Sequence, residues 1–253
     1  MITHSFIFLE RIGDKLEQNI WKNGVYNWDI FLKRGNVKGL SRHRKLYYDR
    51  QILNARKALY NFDSNYFLEL LPQSEMWRLY DFFKEDAVFL DIETTGLSKE
   101  NDDITVFGLY DGINTKTMIK GINLDFDSLR KELQKYKLIV TFNGASFDLP
   151  FIEKRYPALL PKIPNFDVKS VTDKLSMKGG LKNIEKNLGI KRSDIVEKFY
   201  GGDALTLWRM HRATGDDYYL NLLVEYNEYD MINLKIVAEH CVKKMKERLL
   251  KTN

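Results

Sequence analysis

Up to about Phe83 the apolar residues recur at helical spacing, as in Leu9, Ile12, Leu16 and Ile20, and Gly24, Gly35 and Gly39 interrupt the pattern. No stretch there has the alternation of a strand. From Ala87 the texture changes to short apolar runs parted by Gly- and Asp-containing turns, which predicts strands over 87–92, 104–110 and 116–120 in an antiparallel meander. A helix near 126–136, a strand over 138–142, a helix from about Ser146 and a short strand near Phe166 follow. After Gly179 the pattern is helical, over 181–188, 203–212, 218–226 and 230–250. This order reads as α/β, a mixed sheet flanked by helices. The expected division is a helical region over 1–83 and an α/β domain over 84–253.

A chain of 253 residues, 44% hydrophobic and 13% aromatic with 5 Pro, suits a packed globule rather than a tail. Its lone cysteine, Cys241, lies in the apolar C-terminal helix, so neither a disulfide framework nor a cysteine metal site is expected, and a cytoplasmic location fits. Met1–Leu9 runs at once into Glu10, Arg11, Asp14 and Lys15, unlike a signal peptide. No uncharged run approaches the length of about 20 residues that spans a bilayer.

The net charge of +5 is concentrated early: residues 1–83 hold 13 Lys+Arg against 9 Asp+Glu. Lys33, Arg34, Lys38, Arg42, Arg44, Lys45, Arg50, Arg56 and Lys57 are opposed over their span only by Asp49. Such a stretch either neutralises phosphates or forms a solvated helix face. The spacing Ile12-Gly13, Leu16, Ile20-Trp21 and Gly24-Val25 has the outline of a helix-hairpin-helix offering backbone N–H groups to a DNA phosphate. It equally fits an ordinary turn followed by a packed Trp.

Candidate chemistry begins with Asp91-Ile92-Glu93, which closes the apolar run Val88-Phe89-Leu90. Period two places both carboxylates on one face and Ile92 on the other. Their mutual repulsion at the end of a buried strand points to a cation, while acids at strand ends also occur simply as turn formers. Asp148 falls in the first turn of a helix, where negative charge is favoured. Tyr226 and Asp230, at i and i+4, share one helix face, while Glu225 and Glu228 turn away from it. His4, His43, His211 and His240 have no metal-ligand or triad spacing.

Asp91-Ile92-Glu93-Thr94-Thr95-Gly96-Leu97, Asn143-Gly144-Ala145-Ser146-Phe147-Asp148 and Tyr226-Asn227-Glu228-Tyr229-Asp230 resemble, in order, the three motifs of the DEDD 3′→5′ exonucleases of the RNase H-like superfamily. That family includes polymerase proofreading domains and the RNase D and RNase T relatives. Glu225, five before Asp230, stands where a histidine branch needs His, so the resemblance is to the tyrosine branch, DEDDy. It covers about residues 84–253 and fits a standalone RNase H-like subgroup, supported by Gly180–Ile190 and by Gly201-Gly202-Asp203-Ala204. Gly180 stands where members of that subgroup often have Ser.

The resemblance implies an RNase H-like mixed sheet of three antiparallel strands followed by parallel ones, and two Mg²⁺ or Mn²⁺ ions. By the same resemblance Asp91 bridges the ions, Glu93 and Asp230 hold the ion of the nucleophile, Asp148 supports the second, and Tyr226 orients the attacking water. Glu93 also helps position the 3′-OH, and Leu97 wedges against the terminal base. Thr94, Asn143, Phe147 and Lys182 are further candidate substrate contacts, with Leu97 and Phe147 equally suited to core positions. Lys178, Lys182, Lys186, Lys191 and Arg192 either grip a nucleic-acid backbone or are solvated. Asp167 is a reserve ligand or a helix cap.

The activity expected is a metal-dependent 3′→5′ exonuclease acting on nucleic acid, DNA ahead of RNA. A structure-specific endonuclease and a binding module without turnover are the alternatives.

Overall fold

The computed structural model describes residues 1–198 and 203–250. Among the described residues, 1–86 form helices and turns: α1 (Asp14–Lys22), α2 (Trp28–Lys33), α3 (Arg42–Tyr60) and the single turn α4 (Tyr80–Phe83). Side-chain caps fix two of the starts, since Asn27 accepts from the Ile30 amide and Ser41 from the Arg44 amide. The expected helix through Leu9 and Ile12 is not formed. Both residues sit in consecutive turns closed by amide-to-carbonyl bonds three residues back, and α1 begins only after Gly13.

The hairpin outline also resolves as the simpler structure. The Gly24 amide donates to the Trp21 carbonyl at 2.8 Å and the Val25 amide to that of Ile20 at 3.2 Å, so both are already used. Trp21 is buried, its Nε1 donating to the His4 carbonyl at 2.9 Å.

The sheet contains β1 (Ala87–Thr94), β2 (Ile104–Tyr110), β3 (Thr115–Ile119), β4 (Leu138–Thr141) and β5 (Asn165–Asp167) in the order β3-β2-β1-β4-β5. The first three are antiparallel, and β1, β4 and β5 run parallel. Helices α5 (Phe126–Leu133), α6 (Asp148–Arg155), α7 (Val168–Lys174), α8 (Leu181–Leu188), α9 (Asp203–Thr214) and α10 (Asp217–Leu250) complete the described chain. This is the RNase H-like α/β arrangement expected. Of the Gly201-Gly202-Asp203-Ala204 stretch, Gly201 and Gly202 lie outside the described residues.

Alternation along β1 divides the core. Val88, Leu90 and Ile92 pack with Leu129 and Leu133 of α5 and with Phe151 and Ile152 of α6. Ala87 and Phe89 face the other way, into a cluster that includes Met231, Leu234 and Cys241 of α10 together with Phe6, Trp21, Trp28 and Trp77 from the first 86 residues. One apolar core therefore crosses the position at which the sequence texture changes. Beside it, buried Arg78 pairs with Glu17 at 2.9 Å and Glu75 at 2.6 Å, and Lys174 of α7 also pairs with Glu75.

Helix α10 runs 34 residues without a break, where two segments around 227–229 were expected. Nothing in Asn227-Glu228-Tyr229 interrupts a helix, and no Gly or Pro occurs from Asp217 to Leu250. No helix among the described residues is long and apolar enough to cross a membrane.

Candidate metal centre

On the face of β1 opposite Ile92, Asp91 and Glu93 project toward α10. Asp91 lies beside Gly108 of β2 in the antiparallel register. A Cβ on Gly108 would fall 2.0 Å from Asn227 Oδ1 and 2.6 Å from Met231 Cε, so the glycine is what lets α10 come this close. That approach brings Asn227 Nδ2 to 2.8 Å from Asp91 Oδ2, to which it donates. One helical turn on, Asp230 completes a group in which one carboxylate oxygen from each of Asp91, Glu93 and Asp230 lies within 4.8 Å of the others.

Asp148 stands beside this triad rather than within it. It opens α6, is 6% exposed, and its Oδ1 accepts from the Ile92 amide at 3.3 Å. The turn that delivers it is held by Asp167. Oδ1 of Asp167 accepts from the Asn143 amide at 2.8 Å and from the Lys169 amide at 3.0 Å, while Oδ2 accepts from the Ala145 amide at 3.1 Å. Asp167 thus caps α7, and it also fixes the turn containing Asn143, whose φ is +63°.

The electrostatics follow from crowding four acids in a recess. Burial, then the charges of Asp230, Asp148 and Glu93, push the Asp91 carboxyl well above its usual range, and the Asn227 hydrogen bond opposes the rise. Glu93 is raised in the same way by burial, Asp230 and Asp148. Asp148 is pushed up to about 7, chiefly by burial. Asp230 reaches only about 6, because Arg192 counters the burial.

That role of Arg192 corrects the expectation that it grips a nucleic-acid backbone. Its side chain is fully buried. Nη2 lies 2.5 Å from Asp230 Oδ1 and 2.6 Å from Glu185 Oε1, and Nε lies 2.6 Å from Glu185 Oε2. The guanidinium also lies 5.5 Å from the Tyr226 ring centroid. Burial, followed by the Asp230 charge, raises the Tyr226 phenol, so it stays protonated at neutral pH.

A cleft of about 550 Å³ is lined by Asp91, Tyr226 and Asp230 together with Lys182, Asn183 and Lys186. Lys182 Nζ donates to the Glu197 carbonyl at 2.5 Å, and Lys178 and Lys191 are exposed. Thr94 Oγ1 donates to the Gly96 carbonyl at 2.6 Å, shaping the loop after β1, and Leu97 on that loop is 82% exposed. Phe147 is half-buried at the rim of the second core, 5.6 Å from the Phe151 ring. Asn143 is exposed, and the Ser146 hydroxyl donates to its side-chain oxygen at 3.0 Å. Glu228 turns to the sheet, accepting from Thr115 Oγ1 at 2.9 Å, and Glu225 accepts from Ser193 Oγ at 2.7 Å.

Sequence reasoning missed Asn227 as a partner of Asp91 and gave Arg192 a different role. For Asn227 a signal existed, its i, i+3 relation to Asp230. For Arg192 there was none, because its partners are 7 and 38 residues away. The triad's ligand atoms are all carboxylate oxygens, the donor type that hard divalent cations take.

A search of curated proteins returns no match. Among solved structures, the family B DNA polymerase of the hyperthermophilic archaeon Pyrobaculum calidifontis aligns at 16% identity over 61% of this chain, which spans only 24% of that polymerase, with a TM-score of 0.49. A structure described as the apo form of a nuclease aligns at 16% identity over 70% of this chain and 79% of its own, with a TM-score of 0.47. Brucella melitensis NrnC aligns at 20% identity over 67% of this chain and 78% of its own, with a TM-score of 0.41. The model of the RNase H superfamily matches residues 88–242, from the first strand of the sheet to the far part of α10, and the chain accordingly belongs to that superfamily.

Proposed function

We propose that this protein is a metal-dependent 3′→5′ exonuclease of the DEDDy type, acting on single-stranded 3′ ends of nucleic acid, DNA ahead of RNA. The observation that carries the reading is the triad. Three acids with oxygens within 4.8 Å, at least two of them held well above their usual range, form a site that a divalent cation would relieve.

When bound, two Mg²⁺ or Mn²⁺ ions supply a nucleophile at neutral pH and neutralise the charge that develops on the leaving oxygen. Asp91, Glu93 and Asp230 would hold them, with Asp148 completing the set from α6. Asn227 orients the Asp91 carboxylate. Arg192 engages Oδ1 of Asp230 and so orients that carboxylate. Tyr226, kept protonated, donates a hydrogen bond that orients the attacking water. Exposed Leu97 and half-buried Phe147 supply apolar contact to terminal bases, while Thr94, Asn143 and Lys182 serve the backbone.

The test uses a 12-mer of DNA and of RNA, each with a free or a blocked 3′-OH, in Mg²⁺, Mn²⁺ or chelator. Release of mononucleotides from free ends alone supports the reading. Equal cutting of blocked strands would assign an endonuclease, and tight binding without cleavage a module that has lost turnover.

A further inference from the structure

The basic stretch of the first 60 residues is only partly consumed by the fold. Lys45 is buried against Asp49, Arg56 pairs with Asp29 at 2.6 Å, and Arg34 donates to the Asn23 carbonyl at 2.7 Å. Arg50 and Lys57 are exposed on α3 and have no acidic partner within ion-pair distance among the described residues. With Leu53 and Tyr60 they form one line at i, i+3, i+7 and i+10. The two charges are about 10 Å apart along the helix axis.

The line ends at a cavity of about 500 Å³, with Trp28 in its wall and Tyr60, Phe62 and Phe82 around it. Tyr60 is 85% exposed, and the Phe62 and Phe82 rings lie 5.9 Å apart. Aromatic faces next to unpaired cations are the combination that holds single-stranded nucleic acid: every base offers a π-face and every phosphate a charge. A protein helix could use the apolar line, but it would leave the two cations without a counter-charge unless it were acidic, whereas a polyanion is already the substrate of the proposed activity.

The separation along α10 bounds the length of strand that reaches both sites. Phe82 follows Asp81, which pairs with Lys246 of α10 at 3.0 Å. Asp230 lies sixteen residues earlier on the same helix, about 24 Å along its axis. At about 3.4 Å per stacked nucleotide, roughly seven nucleotides cover that axial distance, and a strand needs several more to pass round α10, which turns by about 160° over sixteen residues.

Resting on the nuclease reading for the identity of its ligand, we propose that the C-terminal half of α3 and the adjoining aromatic cavity form a second contact for single-stranded nucleic acid, with Arg50 and Lys57 on phosphates and Tyr60, Phe62 and Phe82 stacking a base. Strands long enough to reach both sites gain affinity from it, and dinucleotides gain none.

The test measures binding of a labelled 12-mer and hydrolysis of a dinucleotide by the wild type, Tyr60→Ala/Phe62→Ala and Arg50→Gln/Lys57→Gln. The aromatic pair should weaken 12-mer binding by about tenfold or more. The charge pair should flatten the dependence of log affinity on log salt by about 1.4. Dinucleotide hydrolysis should not change. Unaltered 12-mer affinity in both variants would overturn the proposal, as would self-association of the wild type that the aromatic variant abolishes without any change in 12-mer binding. If the wild type hydrolyses nothing but its binding responds as stated, the nuclease reading falls and this contact stands. If it hydrolyses the dinucleotide and binding does not respond, this contact falls alone.

Discussion

Two groups of charged side chains recessed in this molecule have opposite balances. Where the N-terminal helices meet the sheet domain, Glu17 and Glu75 are matched by Arg78 and Lys174. Burial works to raise the Glu75 carboxyl, but Arg78 and Lys174 outweigh it, and Glu75 titrates below its usual range. At the candidate metal centre, Asp91, Glu93, Asp148 and Asp230 cluster together, and among the described residues the buried cation Arg192 pairs with Asp230 alone of these four and is shared with Glu185. There the carboxyls are raised. The first group is finished by the chain itself, whereas the second remains short of positive charge and is suited to take it from outside.

Four experiments sharpen or break that contrast. The largest effect should come from Asp91→Ala or Asp230→Ala. If they hold the ions as proposed, losing one removes several kcal/mol of charge stabilisation and should cut hydrolysis about a thousandfold or more. Thermal melts in chelator should show the Asp91 variant no less stable than wild type, since a repelling charge has gone. A clear loss of stability would place Asp91 among the structural acids.

Removing a cation from the finished group should do the reverse. Arg78→Met leaves buried carboxylates unpaired and should cost about 3–5 kcal/mol in denaturant unfolding. A loss below about 1 kcal/mol would show that the pairing at this junction is not what holds it.

Positioning residues come next. Asn227→Ala and Arg192→Met should each weaken divalent-ion affinity, read by calorimetry, by about 10–100-fold. Rescue of Arg192→Met by Lys at the same position would mean that charge alone suffices and the paired geometry does not matter.

The fourth effect is on pH. Asp148, with a folded value of about 7 against an ordinary 3.8, holds its proton more tightly in the native state. Its contribution to stability is therefore greatest at low pH and is lost as pH rises through about 7. Glu75, depressed in the fold, contributes above its unfolded value and loses that contribution as pH falls through its folded one. In chelator, the Asp148→Asn protein should lack the part of the decline between about pH 4 and 7 that the wild type shows. Parallel profiles for the two would remove Asp148 from the uncompensated group.

Much of the sheet and the acidic face of β1 could be read from the sequence, because alternation at period two assigns Asp91 and Glu93 to one side without tertiary information. Helical spacing did the same for Tyr226 and Asp230. What stayed hidden depends on contacts between elements. That Gly108 lies beside Asp91 follows from the register of β1 on β2, and only then does Asn227 become a partner of the site. Arg192 read as a surface cation because exposed and buried arginines look alike in a run such as Lys191-Arg192. The stretch Leu9 to Ile20 misled for a related reason, since consecutive turns packed on one core produce the same apolar spacing as a helix.

Asp167 shows what separates a ligand from a neighbouring acid. Its two oxygens already receive three backbone amides, which is most of the lone-pair capacity a carboxylate has. An arriving cation would have to displace those amides and so undo the turn that presents Asp148. Vacant coordination capacity, more than proximity or formal charge, therefore marks which acids of this cleft are open to an ion and which serve as its scaffold.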